Sequence, residues 1–150
     1  MGIIRLTKDY GFEMSHALYG HPGPCNNIHG HSYVLSVTIK GEPLLKVGHP
    51  ANGMLLDFYE LDRIVNTLIV DKFEHFLVLD ERVIKPKLLD SLSEMGVSQI
   101  MHFDGQPTCE NLVLNMADTL SNAFSEGISL HSLTLKESPG ALAEWHGEDN

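Results

Sequence analysis

An α+β fold is expected, with a four-stranded antiparallel sheet carrying two helices on one face. Three features of the sequence predict it. Both ends of the chain alternate apolar and polar residues as strands do, and two amphipathic helical stretches lie between them. The length of 150 residues suits one core and would cramp two, so residues 1–150 read as a single domain.

The first strand spans Ile4 to His16. Ile4, Leu6, Tyr10, Phe12, Met14 and His16 share one face, broken only by Lys8. A Gly/Pro loop follows (Gly20, Pro22, Gly23, Pro24), then a second strand from about His31 to Lys40, with Tyr33, Leu35, Val37 and Ile39 on its apolar face. Residues 41–54 form a connection. The first helix starts at Asp57, which has capping-box spacing to Glu60. Phe58, Leu61, Val65 and Leu68 make its stripe, and it ends near Lys72 to His75. Leu77–Leu79 and Ile100–Phe103 have the character of short strands outside the main pattern, with Lys85–Glu94 a short helix. The second helix is capped by Thr108, carries Leu112, Val113, Met116, Leu120 and Phe124, and is expected to stop at Gly127. A strand from Leu130 to Glu137 and a tail strand around Ala141–Trp145 complete the sheet. Its two open edges predict an oligomer.

Composition narrows the function. Hydrophobic residues are 43% and charged residues 20%, as in globular proteins. The formal charge of -10 excludes a basic nucleic-acid-binding footprint. No apolar run is long enough for a membrane helix, and two cysteines do not make a disulfide framework, so a cytoplasmic location is expected. Nine histidines stand out.

The densest chemistry is Cys25 to His31. His29 and His31 fall on one strand face, and His16 ends the apolar face of the preceding strand. If the two strands pair as a hairpin, three imidazoles converge. Three ligands with an open fourth position make a catalytic zinc arrangement. Cys25, in a polar loop, fits either a fourth ligand or a thiolate base or nucleophile. Glu74 beside His75 fits a proton shuttle, or a cationic imidazole favoured by a helix C-terminus. Glu137 ends an apolar strand face. It is either a solvent-exposed strand end or a carboxylate poised to hold two N–H donors of a heterocycle. Glu110 suits the helix dipole.

Six motifs then stand in order: Phe12-Glu13-Met14-Ser15-His16; Cys25 to His31 with Ser32-Tyr33; Gly53-Met54-Leu55-Leu56-Asp57-Phe58; Glu74-His75; Pro107-Thr108-Cys109-Glu110-Asn111; and Glu137-Ser138-Pro139. Together they resemble the 6-pyruvoyl-tetrahydropterin synthase / 6-carboxytetrahydropterin synthase family over nearly the whole chain. The resemblance implies a tunnelling fold whose subunits associate into a barrel, commonly a homohexamer. It implies Zn2+ on His16, His29 and His31, Cys25 as catalytic base, and His75 with Glu74 as proton-transfer partner. Glu137 would anchor the pterin, and Thr108 and Glu110 would line its pocket. The implied substrate is 7,8-dihydroneopterin triphosphate.

The short Cys-x-x-x-His-Gly-His spacing resembles the bacterial queuosine-pathway lyase, which releases acetaldehyde and triphosphate and leaves 6-carboxytetrahydropterin. The alternatives are a 6-pyruvoyl-tetrahydropterin synthase, or a non-catalytic pterin- or zinc-binding relative. Two departures stand out. Glu74 replaces the usual Asp, and Ala17 follows His16 where a basic residue is common. Lys8, Lys40 and Lys136 are the cations the sequence offers to the triphosphate.

Overall fold

The structure, a computed structural model, describes residues 2–150. Strands β1 (Ile4–His16) and β2 (His29–Gly41) form one long antiparallel hairpin, in register from Ile4 opposite Gly41 to His16 opposite His29. Their alternation is realised as predicted. Tyr10, Phe12, Met14 and His16 on β1, and Tyr33, Leu35, Val37 and Ile39 on β2, are buried. Lys8, the odd member of that face, is neutralised by Asp62, its Nζ standing 2.6 Å from Oδ1. Tyr10 donates its hydroxyl to the same carboxylate at 3.1 Å. β5 (Ile128–Ser138) pairs antiparallel with β2, and β6 (Ala141–His146) with β5. Around His131, β5 carries a register shift against β2.

The sheet has six strands, not four, in the order β4-β3-β1-β2-β5-β6. β3 (Leu77–Asp80) and β4 (Ile100–Phe103) extend it, and both run parallel to β1. The sheet is therefore mixed rather than purely antiparallel. The physical reason is burial on both sides. Val78 faces the main core, while Leu77 and Leu79 pack with Leu92 in a second cluster. A four-residue strand covered on both faces has no alternation to read.

The helices depart from the expectation in the same region. α1 (Phe58–Val65) continues through a π turn (Asn66–Val70) into a single helical turn, α2 (Asp71–Phe73). Leu61, Val65, Ile69 and Phe73 are all buried and recur every four residues. On a regular α-helix such a row drifts by about 40° per step, and the wider π turn absorbs that drift. Asp57 caps α1 by accepting the Tyr59 N–H at 2.8 Å. Glu60 does not close a capping box, because both its oxygens are taken by Arg63. α4 (Cys109–Leu120) is capped by Thr108 and buries Leu112, Val113, Met116, Ala117 and Leu120. It ends at Leu120, not at Gly127. Gly127, at φ 85°, instead turns the chain into β5. α1 and α4 contribute to the main core over one sheet face. α3 (Pro86–Glu94) contributes Leu92 to the opposite side of β3, so the helices do not all lie on one face. Among the described residues no helix is long and apolar enough to cross a membrane.

Candidate metal centre and active site

The hairpin register brings His16 and His29 directly opposite each other, and His31 follows two residues along the same face. The glycine between the two β2 histidines relieves a tight approach there. A β-carbon at Gly30 would stand 3.0 Å from the Met14 carbonyl oxygen. The three rings have centroids 4.6, 5.3 and 5.0 Å apart, and one ligating atom from each lies within 4.8 Å of the other two. Small ring rotations bring all three onto one ion.

Two of the rings are oriented by backbone carbonyls. His16 Nδ1 is 2.7 Å from the Pro107 oxygen, and His29 Nδ1 is 2.8 Å from the Asn27 oxygen. A carbonyl only accepts, so each imidazole carries its proton on Nδ1 and turns an Nε2 lone pair inward. His16 is 2% exposed and its Nε2 has no hydrogen-bond partner. Burial pushes its pKa below the usual histidine value and keeps the ring neutral. Glu137 Oε1 lies 3.5 Å from His16 Nε2 and 3.7 Å from His31 Nε2. With His16 neutral, that approach sets a lone pair against a carboxylate rather than forming an ion pair. A cation placed among these atoms relieves the conflict, so the donor set fits zinc.

These groups line one cavity of about 740 Å³, together with Cys25, Thr108 and Glu110. Tyr33 was legible as a strand-face residue and as part of a motif, and it proves to be the support for Glu137. Its hydroxyl donates to Oε1 at 2.9 Å, and burial together with that carboxylate raises its pKa, so it remains a donor. The signal available was its place on the His31 face of β2. The two thiols differ in kind. Cys109 donates to the Leu135 carbonyl at 3.3 Å, and burial and Glu137 push its pKa up to about 11, so it stays protonated. Cys25 lies in the polar loop at the cavity and is free.

His75 and Glu74 are not brought into that cavity. They stand beside a separate hollow of about 330 Å³ that His75 lines with Glu13, Ser15 and Ser32, and only His31 lines both. The pair is nevertheless built with care. His75 Nδ1 is 2.6 Å from Glu74 Oε1, while Glu74 Oε2 accepts the Glu13 N–H at 2.8 Å. The longer Glu therefore still reaches the imidazole. His75 adopts φ 62°, the one positive φ outside glycine among the described residues, and its N–H donates to the Glu13 carbonyl at 2.7 Å. Its side chain is 70% exposed. Glu13 is a positioning residue that the sequence alone did not single out. Its carboxylate in turn accepts the Ser32 hydroxyl.

Comparison with known proteins gives the family and the fold. The family model described as 6-pyruvoyl tetrahydropterin synthase matches residues 5–148. A Haemophilus influenzae protein named 6-carboxy-5,6,7,8-tetrahydropterin synthase is 30% identical over 143 residues, covering 95% of this chain and 99% of its own length. An Aquifex aeolicus protein of the same name is 28% identical, with 95% and 98% covered. The solved 6-pyruvoyl tetrahydropterin synthase of Caenorhabditis elegans superposes with a TM-score of 0.70 at 24% identity, over 98% of this chain and 97% of that one. That last likeness speaks for the six-stranded fold, and the family match runs from β1 through β6. The chain belongs to the 6-pyruvoyl tetrahydropterin synthase family.

Proposed function

We propose that this chain is a zinc-dependent 6-carboxy-5,6,7,8-tetrahydropterin synthase acting on 7,8-dihydroneopterin triphosphate in queuosine biosynthesis, as a cytoplasmic homohexamer. The observation that carries the reading is the triad. His16 and His29 have Nδ1 committed to backbone carbonyls, and their Nε2 atoms converge with His31 in the cavity that also holds Cys25 and Glu137. Relatives that bear the carboxy-synthase name support the branch.

His16, His29 and His31 would hold the zinc, which supplies Lewis acidity to the oxygens of the pterin side chain. The remaining work belongs to the chain. Glu137, held by Tyr33, accepts the paired N–H donors of the amino-pyrimidine edge and fixes the ring. Thr108 and Glu110, at the start of α4, wall the pocket. Cys25 takes a proton from the side chain as base. His75 exchanges a second proton through Nε2, with Nδ1 held by Glu74. His75 does not line the cavity of its own Cys25 and is largely exposed, so we assign it to the site of a neighbouring copy.

Mass spectrometry of the products from zinc-loaded protein and 7,8-dihydroneopterin triphosphate tests the reading. Carboxytetrahydropterin with acetaldehyde is expected. Pyruvoyl-tetrahydropterin would move the chain to the other branch, and unchanged substrate would refute catalysis on this pterin.

A further inference from the structure

The cavity that holds the triad has a charge deficit. Its lining includes two carboxylates, Glu110 and Glu137, and no lysine or arginine among the described residues. Lys8 is tied to Asp62. Lys40 and Lys136 occupy strand positions that alternate with the buried face, so they belong to the other side of the sheet. Ala17 packs beside Leu77, Leu79 and Leu92. A substrate with a polyphosphate tail needs N–H donors at this site, and even a neutral N–H to a phosphate oxygen is charge-assisted. Within this chain's own share of the lining, outside the triad, His21 is the one imidazole, and the Asn27 amide nitrogen is committed to the Pro24 carbonyl.

We propose that His21 receives the anionic phosphate tail of the substrate, an inference that rests on the pterin-triphosphate reading above. His21 is exposed at the rim of the same cavity, in the loop that joins β1 to β2. That loop is closed by its own hydrogen bonds. Leu18 N–H donates to the Cys25 carbonyl at 2.8 Å, His21 N–H to the Leu18 carbonyl at 3.1 Å, and Gly20 N–H to Asn26 Oδ1 at 2.8 Å. His21 and Cys25 thus ride on one braced arch.

The ring is also oriented. Gly23 N–H donates to His21 Nδ1 at 3.0 Å, which places the imidazole proton on Nε2. In this neutral tautomer His21 presents Nε2–H as a donor, and the Gly23 bond holds only while Nδ1 is unprotonated. Gly23 is needed for this fold-back, because a β-carbon there would stand 2.9 Å from Cε1 and 3.1 Å from Nδ1 of the ring. His16 sits at the buried end of the cavity, His29 and His31 are half-buried, and His21 is exposed, so a tail held by His21 lies on the solvent side, where a released polyphosphate leaves.

The test measures binding in a zinc-loaded Cys25→Ala background, so that substrate persists. Parent, His21→Ala, His21→Lys and Gly23→Ala proteins are titrated with 7,8-dihydroneopterin triphosphate and with unphosphorylated 7,8-dihydroneopterin, and zinc is assayed in each. His21→Ala is expected to weaken triphosphate binding about tenfold or more, the scale of a charge-assisted hydrogen bond, and to leave the unphosphorylated pterin and zinc unchanged. His21→Lys restores the loss. Gly23→Ala, which displaces the ring without removing it, gives a smaller loss of the same selectivity. Unchanged triphosphate binding in His21→Ala, or an equal loss for both pterins, overturns the proposal. Failure of the parent to bind either pterin sinks the pterin reading and this inference with it, and so distinguishes the two failures.

Discussion

His16 and His75 are placed by opposite means. His16 ends a regular strand, is almost wholly buried, and is aimed by the carbonyl of a residue 91 positions away. His75 stands on a turn at φ 62°, is mostly exposed, and is aimed by the adjacent Glu74. The left-handed backbone costs about 1–2 kcal/mol for a residue with a β-carbon, so this turn is held by its surroundings. The contrast matches the two tasks proposed for them: a metal ligand is served by a fixed neutral donor, and a proton-transfer group by a ring nitrogen left accessible.

The largest effect should come from the buried member. His16→Ala is expected to lower zinc affinity by more than about 100-fold and to abolish turnover, read by metal analysis after dialysis. Retention of zinc would break the contrast at its root. Next, Cys25→Ala and His75→Ala should each reduce turnover by roughly 10²- to 10⁴-fold with zinc retained. Co-assembly of the two inactive variants should recover activity, and no recovery would place both groups in one chain's site. A smaller effect sharpens the backbone side of the comparison. His75→Gly should be more stable than His75→Ala by about 1 kcal/mol in urea unfolding, since only glycine adopts this φ freely.

The smallest effect concerns a third histidine. His131 is 8% exposed, lies just under the surface, and accepts Arg5 Nε–H at 2.7 Å. Burial, then Arg5, with Lys40 and His146 adding and Glu148 opposing, holds its pKa below 6.5. The unfolded chain binds this proton more readily than the native one. Its contribution to stability is therefore complete above pH 6.5 and is lost as the pH falls from there through the native value. His131→Gln should flatten the fall of Tm on the acid side.

Much of this was legible because it rests on period-2 patterning. His16 extends the run of Tyr10, Phe12 and Met14, and His29-Gly30-His31 leads into Tyr33, so the hairpin and the triad follow from one pattern. β3 was less legible for the reason already given at Val78: a strand buried on both faces carries no alternation. β4 is a four-residue edge strand, too short to show a period. The π turn was illegible because the helix was read on the stripe Phe58, Leu61, Val65 and Leu68, whereas Phe58 is exposed and the buried row runs on through Ile69 and Phe73. The Tyr33–Glu137 contact and the His21–Gly23 fold-back depend on side-chain rotamers, which no spacing specifies.

The bond from His16 to Pro107 also has a consequence for the order of assembly. His29 takes its orientation from Asn27, two residues away, as soon as that short segment is made. His16 has no acceptor until the chain has been synthesised past Pro107 and the start of α4 has docked. An emerging polypeptide therefore offers a metal at most an incompletely aimed set of ligands. If the triad binds zinc as proposed, its tight capture falls late, after the segment at Pro107 and the start of α4 have docked.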